Sequence, residues 1–162
     1  LSYPIRDTIA IDPHITLVFL LLQSRVLILL QASDIRYLVV HCSDTDDDLT
    51  ASDIHAMHLG FGWDGIGYHA VIIKDGTIEQ GRPHFWAGAH VYGHNEESLG
   101  VCLIGRNDFT HEQMTALDGL LRDWISRYPQ ARICGHRDFP STQKTCPNFD
   151  VAAWVKDRGL AG

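Results

Sequence analysis

The segment from Gly135 to Asp150, GHRDFPSTQKTCPNFD, places three reactive side chains in one short stretch. His136 and Cys146 stand among proline, serine and threonine residues, so packing in a core is a poor explanation for this thiol. Imidazole nitrogen and thiolate sulfur are ligands that zinc binds in proteins. The segment therefore predicts that His136 and Cys146 hold a metal and that Lys144 works beside it.

A third ligand would have to come from another part of the chain. His41 lies at the end of the apolar run IRYLVVHC, which predicts a strand, and His136 directly follows the short predicted strand ARIC. Side chains at strand ends are held by a fixed backbone and stay open to a site. Three such ligands with one open position are typical of catalytic zinc. The residues alone leave open that His41 is a satisfied histidine of the core.

The elements that must position these residues are strands and helices intermixed. Besides IRYLVVHC and ARIC, the run LGVCLIG predicts an interior strand, and YHAVII and TIEQG predict a hairpin joined at Asp75 and Gly76. His69 follows Tyr68 on the same predicted strand and must point to the opposite face, which favours a role in the core.

Capping residues and apolar spacing predict three helices. Thr50 and Asp53 open a short helix with a capping box, and its buried side is predicted from Ile54, Met57 and Leu59. His55 and His58 are three positions apart on this helix, which allows a metal pair but favours a solvent-exposed face.

The longest predicted helix begins at Thr110, which forms a capping box with Gln113, and it ends before Pro129. Apolar residues recur in it at spacings of three and four, as in an amphipathic helix. Asp150 is predicted to cap a last helix that ends near Gly159.

Composition limits the class of protein. The chain has 162 residues, 45% of them hydrophobic and 20% charged, which is typical of one globular domain. Its net charge is −7 and it has no basic stripe, so a nucleic-acid partner is not expected. Of its cysteines, Cys42, Cys102 and Cys134 are predicted to be buried thiols, and their spacing does not indicate a disulfide framework.

The segment 1–33 is a hydrophobic extension of uncertain role. Its run from Ile15 to Leu30 is interrupted by polar residues and is shorter than the roughly 20 apolar residues of a bilayer span. Three interpretations stay open: an anchor for membrane association or export, a helix that docks on the domain or a partner, and an edge strand from Arg25 to Leu30.

Four segments resemble, in this order, those of the zinc-dependent N-acetylmuramoyl-L-alanine amidases of the type 2 amidase family. They are VHCSDT (40–45), GWDGIGYHAVIIKDGTIEQGR (62–82), GAHVYGHNEESLGVCLIG (88–105) and GHRDFPSTQKTCPNFD (135–150). This family includes the T7-type phage lysozymes, bacterial amidases that recycle muropeptides, and peptidoglycan recognition proteins. The cysteine ligand and the GYH segment resemble the T7-type branch most. The resemblance places an amidase domain at 34–162.

The resemblance also implies the fold and the residues of the site. It implies a single α/β domain with a mixed central sheet flanked by helices, one zinc ion per chain, and the ligands His41, His136 and Cys146. It implies that Tyr68 and Lys144 are catalytic. Lys144 would stabilise the oxyanion, and Tyr68 would orient the water or relay its proton. The residues alone favour the simpler alternatives, in which Lys144 is a solvated loop charge and Tyr68 is an aromatic residue of the core.

Three further residues are expected to bind substrate. His90 is expected to line the substrate groove, against the alternative of a surface position. Asn95 either contacts the substrate or holds a loop, and Arg82 either meets a peptide carboxylate or forms a structural ion pair.

The implied function is hydrolysis of the amide between N-acetylmuramic acid and L-alanine of the stem peptide, by a phage or prophage endolysin or a bacterial wall amidase. The alternative is a module that binds peptidoglycan without cutting it. The expected partner is peptidoglycan or a muropeptide, the expected state a monomer, and the expected place of action the cell wall after synthesis in the cytoplasm.

Overall fold

The structure, a computed structural model, describes residues 29–160. The interpretations of the segment 1–28 therefore lie outside the described residues. Of the edge strand expected from Arg25 to Leu30, only the last two residues are described, and Leu29 forms an isolated antiparallel bridge with Trp86. No helix within the described range is long and apolar enough to cross a membrane.

Five strands form one mixed sheet. They are β1 (Tyr37–Cys42), β2 (Ala70–Ile72), β3 (Ile78–Gln80), β4 (Ser98–Leu103) and β5 (Arg132–Gly135). Their order is β3-β2-β4-β1-β5, and all neighbours are parallel except β2 and β3, which form the predicted hairpin. All six residues of β4 are buried, as expected for a strand covered on both faces. The predicted α/β fold is confirmed, although β1 extends one residue beyond His41.

Three α-helices flank the sheet: α1 (Ala51–Gly60), α2 (His111–Arg127) and α3 (Val151–Asp157). Each begins where its capping residue was predicted, because Thr50, Thr110 and Asp150 accept amide hydrogens of the first turn. The helix α2 ends at Arg127 and is followed by its C-cap Tyr128 and by Pro129, and Gly159 follows α3 with a φ of 61°.

The alternation of side chains along β1 divides the interior in two. Leu38 and Val40 pack in the core formed with α2 and α3, which includes Leu121. Val39 and His41 face the opposite side of the sheet, where smaller apolar clusters pack, one of which includes Ile54 of α1. The catalytic candidates therefore lie on the face that the two C-terminal helices leave uncovered.

The predicted buried side of α1 is wrong in part. Ile54 is buried, but Met57 and Leu59 are exposed, and the second buried residue of the helix is His58, one turn after Ile54. The His58 side chain is fixed inward because its Nδ1 accepts the amide hydrogen of Gly67 at 2.9 Å. A hydrogen bond to the backbone outweighs the apolar character of its neighbours, which sequence spacing does not show.

His69 is 2% exposed and its Nδ1 accepts the Gly100 amide hydrogen at 3.0 Å, which supports the predicted core role. The buried imidazole also makes the stability of the protein depend on pH. Burial lowers the pKa of His69 from 6.5 to about 4. Because the unfolded chain then takes up the proton first, the stability due to neutral His69 is complete above about pH 6.5 and is lost as pH falls towards about 4. We expect the free energy of unfolding, measured in urea, to fall between about pH 7.5 and 4.5 in both proteins. The fall should be about 2 to 3 kcal/mol smaller in His69→Asn than in the wild type. Equal losses in the two proteins would contradict this.

Candidate active site

Two histidines meet because β1 and β5 are parallel neighbours. Val40 pairs with Gly135, so His41 and His136 are the next residues at the same edge of the sheet. Their ring centroids lie 4.6 Å apart. Both border the open cavity above the sheet, where His41 is only 1% exposed and His136 is partly buried.

A loop brings Cys146 to the two histidines. The amide of Arg137 donates to the Cys146 carbonyl at 2.8 Å, which joins this loop to the end of β5. The amide of Cys42 donates to Cys146 Sγ at 3.1 Å, and the same sulfur lies 3.9 Å from His41 Nδ1. One ligand atom from each of His41, His136 and Cys146 lies within 4.8 Å of the others, and residues 29–160 contain no second group of this kind.

The environment favours the metal-binding form of the histidines. Burial, followed by the charges of His90, His136 and Lys144, lowers the pKa of His41 well below its usual value. Burial and Lys144 also lower the pKa of His136. Both imidazoles are therefore neutral at neutral pH and have a lone pair to donate.

The sulfur behaves differently. The hydrogen bond with the Cys42 side chain, together with burial, raises the pKa of the Cys146 thiol above its usual range. A cation reverses this preference, because a thiol that coordinates a metal is deprotonated. Cys146 would therefore become a thiolate if the group held a metal.

The donor set fits zinc. Zinc bonds of about 2.0 to 2.3 Å in a tetrahedron place ligand atoms about 3.4 to 3.7 Å apart, which three atoms within 4.8 Å of one another reach with small side-chain movements. Three protein ligands of nitrogen and sulfur would leave one coordination position of zinc open, as in catalytic sites. The group is therefore suited to a catalytic rather than a closed structural zinc.

The three residues lie at the floor of an open cavity of about 890 Å³. The cavity lining includes three large exposed aromatic side chains, Phe61, Trp63 and Tyr92, the last of which is 86% exposed. The loop that carries Lys144 also lines the cavity. Sequence analysis did not single out these aromatic residues, although they stand next to glycines in FGWDG and VYG, where a core role is less expected.

Tyr68 and Lys144 both border the cavity. The Tyr68 ring lies with its centroid 5.1 Å from that of His41. Burial, followed by the nearby thiols of Cys102, Cys146 and Cys42, raises the pKa of Tyr68 well above its usual value, so the phenol keeps its proton at neutral pH. Lys144 is an exposed residue of the loop whose charge acts on His41 and His136.

The residues expected to bind substrate occupy different positions. His90 and Asn95 contribute to the cavity lining, whereas Arg82 does not. Arg82 donates from Nε to the Ile66 carbonyl and from Nη1 to the Ala87 carbonyl, both at 2.6 Å. Asn95 Oδ1 accepts the amide hydrogens of two residues in the preceding loop. Arg82 thus holds backbone segments together, and Asn95 holds a loop beside the cavity.

Comparisons with known proteins agree with this geometry. Residues 31–149 match the family model described as N-acetylmuramoyl-L-alanine amidase. The chain is 42% identical to the endolysin of Enterobacteria phage K11, over 72% of this chain and 83% of that protein. It is 36% identical to the endolysin of Escherichia phage T7, over 75% of this chain and 85% of that one. The solved N-acetylmuramoyl-L-alanine amidase LysC from Clostridium intestinale URNW is similar with a TM-score of 0.72 and 32% identity, covering 80% of this chain and 89% of LysC.

Proposed function

The chain belongs to the N-acetylmuramoyl-L-alanine amidase family, and we propose that it hydrolyses the amide between the lactyl group of N-acetylmuramic acid and L-alanine of the peptidoglycan stem peptide. The observation that carries this proposal is the meeting of His41, His136 and Cys146 at the floor of an open cavity. The cavity is open and is lined by Phe61, Trp63 and Tyr92 and by the loop that carries Lys144, and we propose that it receives the glycan and the peptide that flank the cleaved bond.

We propose that the enzyme depends on one zinc ion held by His41, His136 and Cys146. Zinc bound by these residues would supply a Lewis acid for the scissile carbonyl and would lower the pKa of a bound water to about 7. The burial of His41 fixes its ring against the sheet, and the amide of Cys42 orients the Cys146 sulfur. The protein thereby positions its ligands before the substrate enters.

Lys144 and Tyr68 have complementary proposed roles. The Lys144 ammonium, on the wall of the cavity, stabilises the negative charge that develops on the carbonyl oxygen. The Tyr68 hydroxyl, on a ring whose centroid lies 5.1 Å from that of His41, acts as a hydrogen-bond donor that orients a reacting oxygen. Sequence analysis left both an orienting and a proton-relay role open for Tyr68, and a substitution distinguishes them.

The substitution Tyr68→Phe separates these two roles. It removes one hydroxyl and keeps the ring that packs near His41. Loss of one neutral hydrogen bond costs about 1 to 1.5 kcal/mol, so we expect kcat/KM to fall by about tenfold. The zinc content should be unchanged. A fall of more than about 100-fold would indicate that Tyr68 transfers a proton, since general acid–base groups contribute about 10² to 10⁴.

The proposed setting is lysis of a bacterial wall by a phage endolysin, because the phage K11 and T7 relatives carry that name. The protein would then act on the cell wall and bind peptidoglycan or a muropeptide. Membrane association through the apolar segment 15–30, the route of export and a monomeric state stay predictions. Fractionation of cells that express segment 1–33 fused to a reporter tests the first, which a wholly soluble reporter would refute.

Product analysis tests the proposed reaction. Purified peptidoglycan is digested with the protein, with a chelator, and with the chelator followed by zinc, and the soluble products are identified by mass spectrometry. We expect free stem peptides that begin with L-alanine, none with the chelator, and recovery with zinc. Binding to peptidoglycan without any release would identify the alternative, a non-catalytic binding module. Release of glycan fragments with the peptide still attached would contradict the assigned bond.

A further inference from the structure

A line of hydrogen bonds leads from the metal-binding group into the protein interior. His41 Nε2 lies 3.0 Å from His90 Nδ1, and His90 Nε2 lies 3.5 Å from Ser98 Oγ. Ser98 Oγ donates to the His94 carbonyl at 2.7 Å. His41, His90 and Ser98 are 1%, 9% and 0% exposed. The interior therefore offers these groups few partners other than one another.

The His94 carbonyl, the last acceptor of this line, determines which atoms of Ser98, His90 and His41 carry a proton. A carbonyl oxygen only accepts, so the one hydroxyl proton of Ser98 goes to His94, and Ser98 Oγ accepts from His90 Nε2. In a neutral imidazole with a protonated Nε2, Nδ1 is an acceptor. His90 Nδ1 thus accepts the Nε2 proton of His41. The lone pair of His41 is then on Nδ1, the nitrogen that lies 3.9 Å from Cys146 Sγ.

We propose that His90 is a positioning residue that holds His41 in the tautomer and ring orientation in which Nδ1 binds the metal. This inference rests on the proposed zinc site and adds to it a residue that is not itself a ligand. Histidine ligands of metals commonly donate their second ring N–H to such a partner, and loss of the partner weakens metal binding by about 10- to 100-fold.

The surroundings of His90 are built to hold its ring. Glycine is required beside it, because a Cβ added at Gly100 would lie 2.7 Å from His90 Nδ1. Its backbone is fixed as well, since Asn95 Oδ1 accepts the His90 amide hydrogen at 2.8 Å and that of Val91 at 2.9 Å. Asn95 therefore supports the ligand His41 indirectly, by holding the backbone of His90.

This role differs from the substrate contact expected for His90 from the sequence. Both ring nitrogens have partners within the protein, one in His41 and one in Ser98. A hydrogen bond from the ring to a substrate would break one of these two bonds. The ring therefore acts on the reaction through His41. Its removal should weaken zinc binding more than it weakens substrate binding.

Zinc affinity of full-length variants tests the proposal, measured by competition with a chromophoric chelator. We expect His90→Ala to bind zinc about 10- to 100-fold more weakly than the wild type. His90→Asn, whose side-chain oxygen can replace Nδ1 as the acceptor, should recover a large part of the loss. The matched control is His84→Ala, which removes a partly buried histidine whose Nδ1 bonds to the Tyr128 hydroxyl and which does not contact His90 or a ligand, and its zinc affinity should stay near that of the wild type.

A measurement on the unmodified protein keeps the test decisive if His90→Ala fails to fold. Nitrogen-15 NMR of the zinc-free wild type should show His41 and His90 both protonated on Nε2. Protonation of His41 on Nδ1, or unchanged zinc affinity in folded His90→Ala, would overturn the proposal while leaving the zinc site intact. A wild type that binds no zinc would instead overturn the zinc site, and this role with it.

Discussion

Replacing Cys146 with serine is expected to remove zinc from the protein and to lower amidase activity by at least about 10³-fold, because the Lewis acid contributes several kcal/mol to the reaction. The hydroxyl of serine stays protonated near neutral pH and is a poor substitute for a thiolate ligand. Cys146 lies on a loop and is only partly buried, so the fold should survive. Metal analysis, a peptidoglycan clearing assay and thermal unfolding of the zinc-free protein measure the three effects.

The matched control for this variant is Cys134→Ser. Cys134 is also a free cysteine, but it is buried on β5 in the cluster with Val39 and Phe139, away from the cavity lining. Its substitution should lower the free energy of unfolding by about 1 to 3 kcal/mol, because a hydroxyl enters an apolar site, and should leave one zinc per chain. Full activity of Cys146→Ser, or equal loss of zinc in both variants, would refute the proposed ligand set.

The second large effect is expected for Lys144→Met. The substitution keeps the length of the side chain and removes the charge beside the proposed oxyanion. A single well-placed donor is worth about 3 to 4 kcal/mol, so we expect kcat to fall by about 10² to 10³. KM should change little, because the charge it stabilises develops in the transition state.

The zinc affinity of the Lys144 variant separates catalysis from metal binding. The Lys144 charge lowers the pKa of His41 and His136, so it disfavours added positive charge in the site. Its removal should therefore keep zinc affinity equal or increase it. Lys156→Met, which changes an exposed lysine of α3, is the control and should behave as the wild type. An unchanged kcat in Lys144→Met would refute the catalytic role of Lys144 and would identify it as a solvated loop charge.

Much of the fold is encoded in local sequence. The capping boxes at Thr50 and Thr110, the stop at Pro129 and the Asp75-Gly76 turn are decided by bonds within a few residues, and each element begins or ends where these signals predict. The local pattern mispredicted the buried side of α1, where His58 is buried and Met57 and Leu59 are exposed. The His58 side chain bonds to Gly67, which no pattern within the helix reveals.

The sequence by itself determined the reactive residues, their order and, through four resembling segments, the family. The tertiary structure decided which of them meet. His41 and His136 lie side by side because β1 and β5 pair in parallel and in one register, and strand pairing between distant segments is not set by the local alternation of side chains. The line from His41 through His90 to Ser98 likewise joins three separate segments, so its proton positions are fixed only when the folded core excludes other partners.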